Sequence, residues 1–155
     1  MIAIDSGKTK AEYLLANGAA HLIDFATAHN VVDAVKALTP EGLGAHAVVV
    51  TAASARAFEQ AAEMLRPGGA LCLCGIPAGE AYLKTPVAGI VIKGLRIFGN
   101  LTGSLAECME AVELVRTGKV VPKIEVREFE ELESVYERME KGDILGRVVL
   151  RIAKA

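Results

Sequence analysis

The residue with the clearest chemical role in this chain is a carboxylate near its start. Asp5 ends the apolar run of residues 1–4 and is followed by Ser6, Gly7 and an amphipathic stretch. In a parallel α/β sheet, the second strand of a dinucleotide-binding unit ends in this way, and its acid accepts hydrogen bonds from a ribose. The alternative is an acidic residue that ends a strand by chance. In such a unit, a first strand, a glycine-rich turn and a helix normally come before this strand. The chain begins with the strand that follows them.

The other reactive side chains lack partners at useful spacing, and we interpret them as structural. Cys72 and Cys74 are two residues apart, so both side chains point to one face of a predicted buried strand. Thiols in that setting usually act as small apolar groups. A C-x-C pair without further paired ligands is a poor zinc signature, and Cys108 stands alone in a predicted helix. The histidines have no partners at ligand spacing either. We therefore predict no metal site.

Composition indicates one globular domain. The 155 residues carry a formal net charge of −2, with 52% hydrophobic and 23% charged residues. This balance gives no reason to expect nucleic acid or an anionic membrane as a partner. No window has the length of a transmembrane helix, and the start lacks the plan of a signal peptide. Three cysteines are an odd count that does not suggest a disulfide framework, so we expect a reducing, cytoplasmic setting.

Short apolar runs alternate with segments of helical period along the chain. We predict strands at residues 2–4, 21–24, 47–51, 70–75, 95–101, 124–126 and 146–152, and helices at 8–16, 31–38, 55–65, 105–115 and 132–139. Three consecutive valines at 48–50 predict a strand that is covered on both faces. The alternation predicts an α/β fold with right-handed crossovers and a parallel sheet, as a single domain over residues 1–155.

Four stretches carry a resemblance to a known family. They are residues 18–25, 66–69, 75–79 and 139–147, in matching order and spacing across nearly all of the chain. The sequence resembles the coenzyme-binding half of the zinc-dependent, medium-chain alcohol dehydrogenases, especially those of the yeast and bacterial type. The resemblance implies a Rossmann-type, three-layer parallel sheet. It also implies, in full-length members, reversible hydride transfer between an alcohol and NAD, with zinc polarising the oxygen.

The resemblance covers only part of such an enzyme. The family's GroES-like catalytic domain carries the zinc ligands and the proton-relaying hydroxyl, and it has no counterpart in this sequence. The family's first strand and glycine-rich phosphate turn have none either. We therefore expect an incomplete Rossmann sheet that lacks zinc ligands, that binds NAD weakly or not at all, and that is not catalytic alone.

Cofactor contacts are implied at positions close to strand ends. Asp5 corresponds to the carboxylate that binds the adenosine ribose and disfavours a 2′-phosphate, so NAD is expected over NADP. Lys10 corresponds to a lysine that reaches the same ribose, with a solvated first-turn lysine as the alternative. Ala53, together with Ala52, corresponds to the wall of the adenine pocket, although any tight strand-to-helix turn accepts alanines.

The remaining implied contacts concern the nicotinamide and the phosphates. Gly75 and Ile76 correspond to positions that hold the nicotinamide ring, where glycine permits close approach, and the alternative is a plain turn at a strand end. Main-chain groups of Asn100 and Thr102 correspond to those that bind the carboxamide. Arg147 corresponds to an arginine that contacts the pyrophosphate, a pairing that suits a guanidinium, and the alternative is a surface arginine that begins a strand.

Two further expectations concern strand edges. In the family's sheet the absent strand lies between the strands at 2–4 and 47–51, so these two edges either pair directly or stay open. The strand from Leu95 to Leu101 corresponds to an edge that pairs with its copy in a second subunit, so we expect a homodimer, with an ordinary protected edge as the alternative. Two other functions stay open: a class I methyltransferase-like domain, and a non-catalytic interaction module that pairs with a full-length relative.

Overall fold

A computed structural model describes residues 1–77 and 79–152. Ala78, inside the stretch 75–79 that carries part of the resemblance, lies outside the described residues. The chain divides into two compact units, one of residues Met1–Thr102 and one that begins at Gly103.

The first unit alternates strands with helices. Its elements are β1 (Ile2–Asp5), α1 (Lys8–Ala16), β2 (His21–Asp24), α2 (Val31–Ala37), β3 (Ala45–Val50), α3 (Ala55–Ala61), β4 (Leu65–Leu73), α4 (Val87–Lys93) and β5 (Arg96–Gly99). Local signals explain several boundaries. Gly18, with φ +95°, ends the segment of α1, and the Asn30 side chain caps α2 by accepting from the Val32 and Asp33 N–H groups. The predicted α/β class is confirmed.

The strands of the first unit pair in parallel in two sheets. One sheet contains β1 and β2, and the other has the order β3-β4-β5. Parallel pairing is confirmed, but the strands do not form one continuous sheet. Of the two outcomes left open for the facing edges of β1 and β3, the structure has the second, because no ladder joins them among the described residues.

Apolar side chains bridge the gap that the backbones leave. One core cluster unites Ile23 of β2 with Val31, Val32 and Val35 of α2 and with Met64, which precedes β4. Side chains from β1 and β3 pack against the same cluster. A second cluster lies between α3 and the β3-β4-β5 sheet and centres on the fully buried Leu65 and Leu71. Hydrophobic contact, rather than a hydrogen-bonded ladder, therefore holds the β1-β2 pair to the rest of the unit.

The prediction that β3 is covered on both faces is wrong. Val50 is buried and Val48 is half-buried, but Ala47 and Val49 are exposed, Val49 by 61%. The alternation follows from the strand period of two, because only the face of Val48 and Val50 packs on the core cluster beneath α3. On the opposite face, none of the described residues of this unit covers Val49, which stays mostly exposed.

Helix α4 was not predicted from the sequence. Its residues 87–92 are apolar or glycine throughout, so no polar face marks a helical period. The helix ends at Gly94, which adopts the left-handed conformation with φ +61°.

The second unit contains α5 (Leu105–Arg116), β6 (Ile124–Glu128), α6 (Leu132–Glu140) and β7 (Arg147–Arg151), all near their predicted positions. Ser104 and Glu107 form a capping box at the start of α5. Strands β6 and β7 pair in parallel, with α6 as the crossover and Val135 buried. Among residues 1–77 and 79–152, no helix combines the length and apolar character needed to cross a bilayer.

Candidate functional site

Asp5 and Lys10, the two residues predicted at the adenosine ribose, lie together. The Lys10 Nζ donates to Asp5 Oδ1 at 3.3 Å, and the Ser6 N–H donates to the same oxygen at 2.8 Å. Both side chains are about one-third exposed, at 37% for Asp5 and 35% for Lys10. The contact follows from local geometry, because the carboxylate ends β1 and the lysine lies in the first turn of α1. Because both bonds use Oδ1, a ligand hydroxyl would meet Oδ2.

A groove opens between β1 and the edge of β3, and Ile4, the residue before Asp5, lines it. Its volume is about 180 Å³, and residues of β1, β3, α3 and the β3–α3 turn line it. The lining is mainly apolar and includes Ile4, Phe25 and Val49, with Arg56 and Gln60 as polar groups from α3. The sequence analysis missed these last two, although their spacing of four residues indicates a shared helix face. Ala52 lines the groove, and its neighbour Ala53 is exposed in the turn.

Gly75 lies against the turn that follows β3. The Cys74 and Gly75 N–H groups both donate to the Val50 carbonyl oxygen, at 2.9 and 2.8 Å. A Cβ atom at Gly75 would overlap the Ala52 carbonyl oxygen. The structure therefore supplies a reason for the glycine within the chain itself, beside the predicted approach of a nicotinamide ring. Ile76 follows with 69% exposure.

Asn100 and Thr102 follow β5 at the same edge of the β3-β4-β5 sheet. The Asn100 N–H donates to the Leu73 carbonyl oxygen at 2.9 Å, which extends the ladder beyond the strand. This bond occupies the Asn100 N–H, so its carbonyl oxygen and the main-chain groups of Thr102 are what a carboxamide could contact. Both side chains are exposed.

Arg147 belongs to the second unit, whereas the other seven predicted positions belong to the first. Its N–H donates to the Lys123 carbonyl oxygen at 2.9 Å, and its Nη1 donates to the Gly146 carbonyl oxygen at 3.3 Å. Gly146 has φ +97°, and a Cβ there would overlap the Lys123 carbonyl oxygen. The stretch that begins β7 thus requires glycine at position 146. The guanidinium of Arg147 is exposed.

Metal ligation is the one function of the resembled family for which the described residues supply no geometry. No three His, Cys, Asp or Glu side chains within residues 1–77 and 79–152 come together as ligands. A catalytic zinc needs three protein ligands and an open position. The described residues therefore do not fit a zinc ion, and we assign no step to one.

Comparison with known proteins places this chain in one family. The family profile described as "Zinc-binding dehydrogenase" matches residues 1–117. Alcohol dehydrogenase 1 of Emericella nidulans is 36% identical over 152 residues, which are 98% of this chain and 43% of that protein. An alcohol dehydrogenase of Geobacillus stearothermophilus gives the same identity and the same two shares.

Solved structures give the same picture. The alcohol dehydrogenase of Aeropyrum pernix superimposes with a TM-score of 0.87 at 29% identity, covering 96% of this chain and 42% of that one. A structure described as an NAD-dependent alcohol dehydrogenase gives 0.84 at 25% identity, covering 98% of this chain and 43% of that one. This chain therefore belongs to the zinc-binding dehydrogenase family, and it spans less than half the length of the alcohol dehydrogenases that it matches.

Proposed function

We propose that this chain supplies the adenosine-binding part of the NAD site in a zinc-type alcohol dehydrogenase. The observation that carries the proposal is the Asp5 carboxylate at the end of β1, directly after Ile4, which lines the apolar groove between β1 and β3. A mostly apolar cleft with a few convergent polar groups is the usual form of a cofactor subsite. In this proposal, the hydride transfer itself needs more than this chain. It is carried out by a protein that also contains the part of the relatives that this chain does not match.

Each group in the subsite has a distinct role. Asp5 accepts hydrogen bonds from the two ribose hydroxyls, and Lys10 holds the carboxylate in place through Oδ1. The apolar lining covers one face of the adenine ring. A 2′-phosphate would bring negative charge against Asp5, so NAD is preferred over NADP. Gly75, Ile76, Asn100 and Thr102 contact the nicotinamide end, and Arg147 contacts the pyrophosphate.

The affinity of the 155-residue chain for NAD is expected to be millimolar or weaker. Tight binding of a pyrophosphate combines several backbone N–H groups with a helix N-terminus. The sequence lacks the glycine-rich turn that usually supplies these groups. Each charge-assisted hydrogen bond that is missing costs roughly 1.5–3 kcal/mol, or about one to two orders of magnitude in Kd.

Ligand-observed NMR with NAD, NADP and AMP tests the adenosine site. We expect weak signals for NAD and AMP, a weaker one for NADP, and loss of all three in Asp5→Asn. The matched control is Asp24→Asn, because Asp24 pairs with Asp5 in register and ends the neighbouring strand. Micromolar NAD affinity, or binding that survives Asp5→Asn, would overturn the proposal. A circular dichroism melt shows whether each variant is folded.

Homodimer formation through β5 is part of the same proposal. Strand β5 is an edge of its sheet, and Phe98 and Leu101 expose apolar surface there. The Asn100 N–H points toward β4, so by alternation the Gly99 N–H points outward. Gly99→Pro removes an outward donor without touching the internal ladder. We expect wild type to sediment as a dimer at tens of micromolar and the variant as a monomer, and a monomeric wild type would contradict the dimer.

The open edges of β1 and β3 favour the interaction module as a second candidate function. Unpaired strand edges are templates for pairing with another chain. Co-purification of the tagged chain with a full-length alcohol dehydrogenase of the same cell would support it, and purification of the chain alone would exclude it.

A methyltransferase-like domain is not supported. The family match is to a different family, and β6 and β7 pair in parallel, whereas such domains end in a hairpin of antiparallel strands. Three free cysteines support a reducing, cytoplasmic location.

A further inference from the structure

Two cysteine side chains meet on the open face of the β3-β4-β5 sheet. The Sγ atoms of Cys72 and Cys74 are 3.4 Å apart, and both residues are half-buried and unoxidised. Cys72 lies in register with Val49 on one side and Phe98 on the other, which are 61% and 51% exposed. Because residues in register point to the same face of a sheet, a small molecule can reach the thiols from this side.

The surroundings limit what this pair can do. No third His, Cys, Asp or Glu of the described residues joins the two thiols, so they do not form a closed site for a metal ion. Two thiols in contact can instead be oxidised to one disulfide. The hydrogen bond to Cys74, with a smaller contribution from burial, raises the pKa of Cys72.

We propose that Cys72 and Cys74 are a thiol–disulfide exchange site that takes a small acyclic disulfide, such as oxidised glutathione, and closes to an intrachain disulfide. The Cys74 thiolate attacks one sulfur of the oxidant, and the oxidant's S–S bond breaks to release one thiolate. Cys72 then loses its proton and attacks the Cys74 sulfur of the mixed disulfide, which releases the second thiolate. The protein pair loses two electrons and two protons, and the oxidant is reduced to two thiols.

The strand geometry predicts that this disulfide is labile. Residues two apart in a strand have Cα atoms about 6.6–6.8 Å apart, and disulfides span Cα distances up to about 6.8 Å. Closure is therefore possible only near the upper limit, and a strained disulfide is easily reduced. Closure also draws Cys74 away from the Val50 carbonyl oxygen, to which the Cys74 and Gly75 N–H groups donate. We expect faster hydrogen exchange at these two amides in the oxidised chain.

Peptide mapping after treatment with oxidised glutathione tests the proposal, and the chain contains its own control. Trypsin leaves Cys72 and Cys74 on one peptide, residues 57–84, and Cys108 on another, residues 97–116. Cys108 is exposed and is the single cysteine in the sequence of the second unit, so within that unit it can retain glutathione but cannot close a disulfide. After blocking of free thiols, we expect the 57–84 peptide to have lost two hydrogens and to regain them with dithiothreitol, while the 97–116 peptide carries one glutathione.

Single variants separate the two steps. In Cys72→Ser the second step is impossible, so Cys74 should retain glutathione, whereas Cys108→Ser should leave closure of the pair unchanged. The proposal is overturned if Cys108 becomes glutathionylated while Cys72 and Cys74 stay free, or if each of them keeps its own glutathione. Circular dichroism before and after oxidation shows whether the reaction took place in the folded chain.

Discussion

Gly75 shows how much a single residue constrains the first unit. Its N–H donates to Val50, and its Cα lies so close to the Ala52 carbonyl that a side chain has no room. The backbone conformation at Gly75 is not left-handed, so the requirement for glycine is steric rather than torsional. The contact brings the turn after β3 close to the turn after β4. Both turns can therefore border one crevice, and this places Gly75 beside the candidate cofactor site.

We predict that Gly75→Ala destabilises the chain by about 1–3 kcal/mol, the usual range for forcing an extra methyl group into a packed site. The measurement is a urea denaturation curve followed by circular dichroism. Gly89→Ala is the matched control, because the nearest heavy atom to its Cβ is Thr85 Cγ2 at 3.8 Å and the residue lies in α4. That control should stabilise the chain by about 0.5–1 kcal/mol. Equal effects of the two substitutions would contradict the steric argument.

At the scale of elements, an ion network joins β6 to α6. The Arg138 guanidinium donates to both carboxylate oxygens of Glu125, at 2.9 and 3.0 Å, and Arg127 donates to Oε1 at 2.5 Å. The hydrogen bonds from Arg138 and then from Arg127 lower the pKa of Glu125 to about 2. The bidentate geometry fixes α6 across the end of the β6-β7 pair.

This network predicts how the chain responds to acid. Because the folded-state pKa of Glu125 lies below its ordinary value of 4.5, the pair contributes its stability above about pH 4.5 and loses it as the pH falls toward about 2. We expect acid titrations followed by circular dichroism to show a smaller loss of stability across this interval in Glu125→Gln than in wild type. Glu133→Gln, at an exposed position of α6, is the control and should behave as wild type. Identical curves for all three proteins would exclude a role for the network.

At the scale of the whole molecule, the first unit carries exposed apolar surface around an unfilled gap in its sheet. Val49 lines the groove at the edge of β3 and is 61% exposed, and Ile4 lines it from β1. Such surface, next to two unpaired edges, favours association with another chain. The chain also spans only 43% of the length of the alcohol dehydrogenase of Emericella nidulans that it matches.

We therefore predict that, above the tens of micromolar at which pairing through β5 gives a dimer, wild type forms larger species in a concentration-dependent way, and that Val49→Lys weakens this second association at least several-fold. The side chain is exposed, so its replacement should change the unfolding free energy by no more than about 0.5 kcal/mol. Sedimentation velocity over a range of concentrations is the measurement. Val121→Lys, at a similarly exposed position of the second unit, is the control and should associate as wild type does. If both variants behave alike, the groove is not the associating surface.

Much of the fold could be predicted because its signals are local. The bounds of α1 and β2 agree with those predicted, since Asn17-Gly18 stops the helix and the four-residue segment His21–Asp24 is too short for anything but a strand. Asp5 and Lys10 were also within reach of sequence reasoning, because a strand end and the first turn of the next helix are neighbours along the chain. The family could be recognised for a similar reason: its motifs are contiguous stretches.

What the tertiary structure alone decided depends on residues that are distant in sequence. The open edges of β1 and β3, the exposure of Val49 and the contact between Gly75 and Ala52 all follow from which elements become neighbours. Local sequence specifies the conformation of a strand but not what covers its face, since burial is a property of the assembled layers. The amino-acid sequence thus determined most of the elements, the family, the acidic residue at the end of β1 and the shared strand face of Cys72 and Cys74, whereas the gap in the sheet and the exposure of the face that carries the two thiols came from long-range packing.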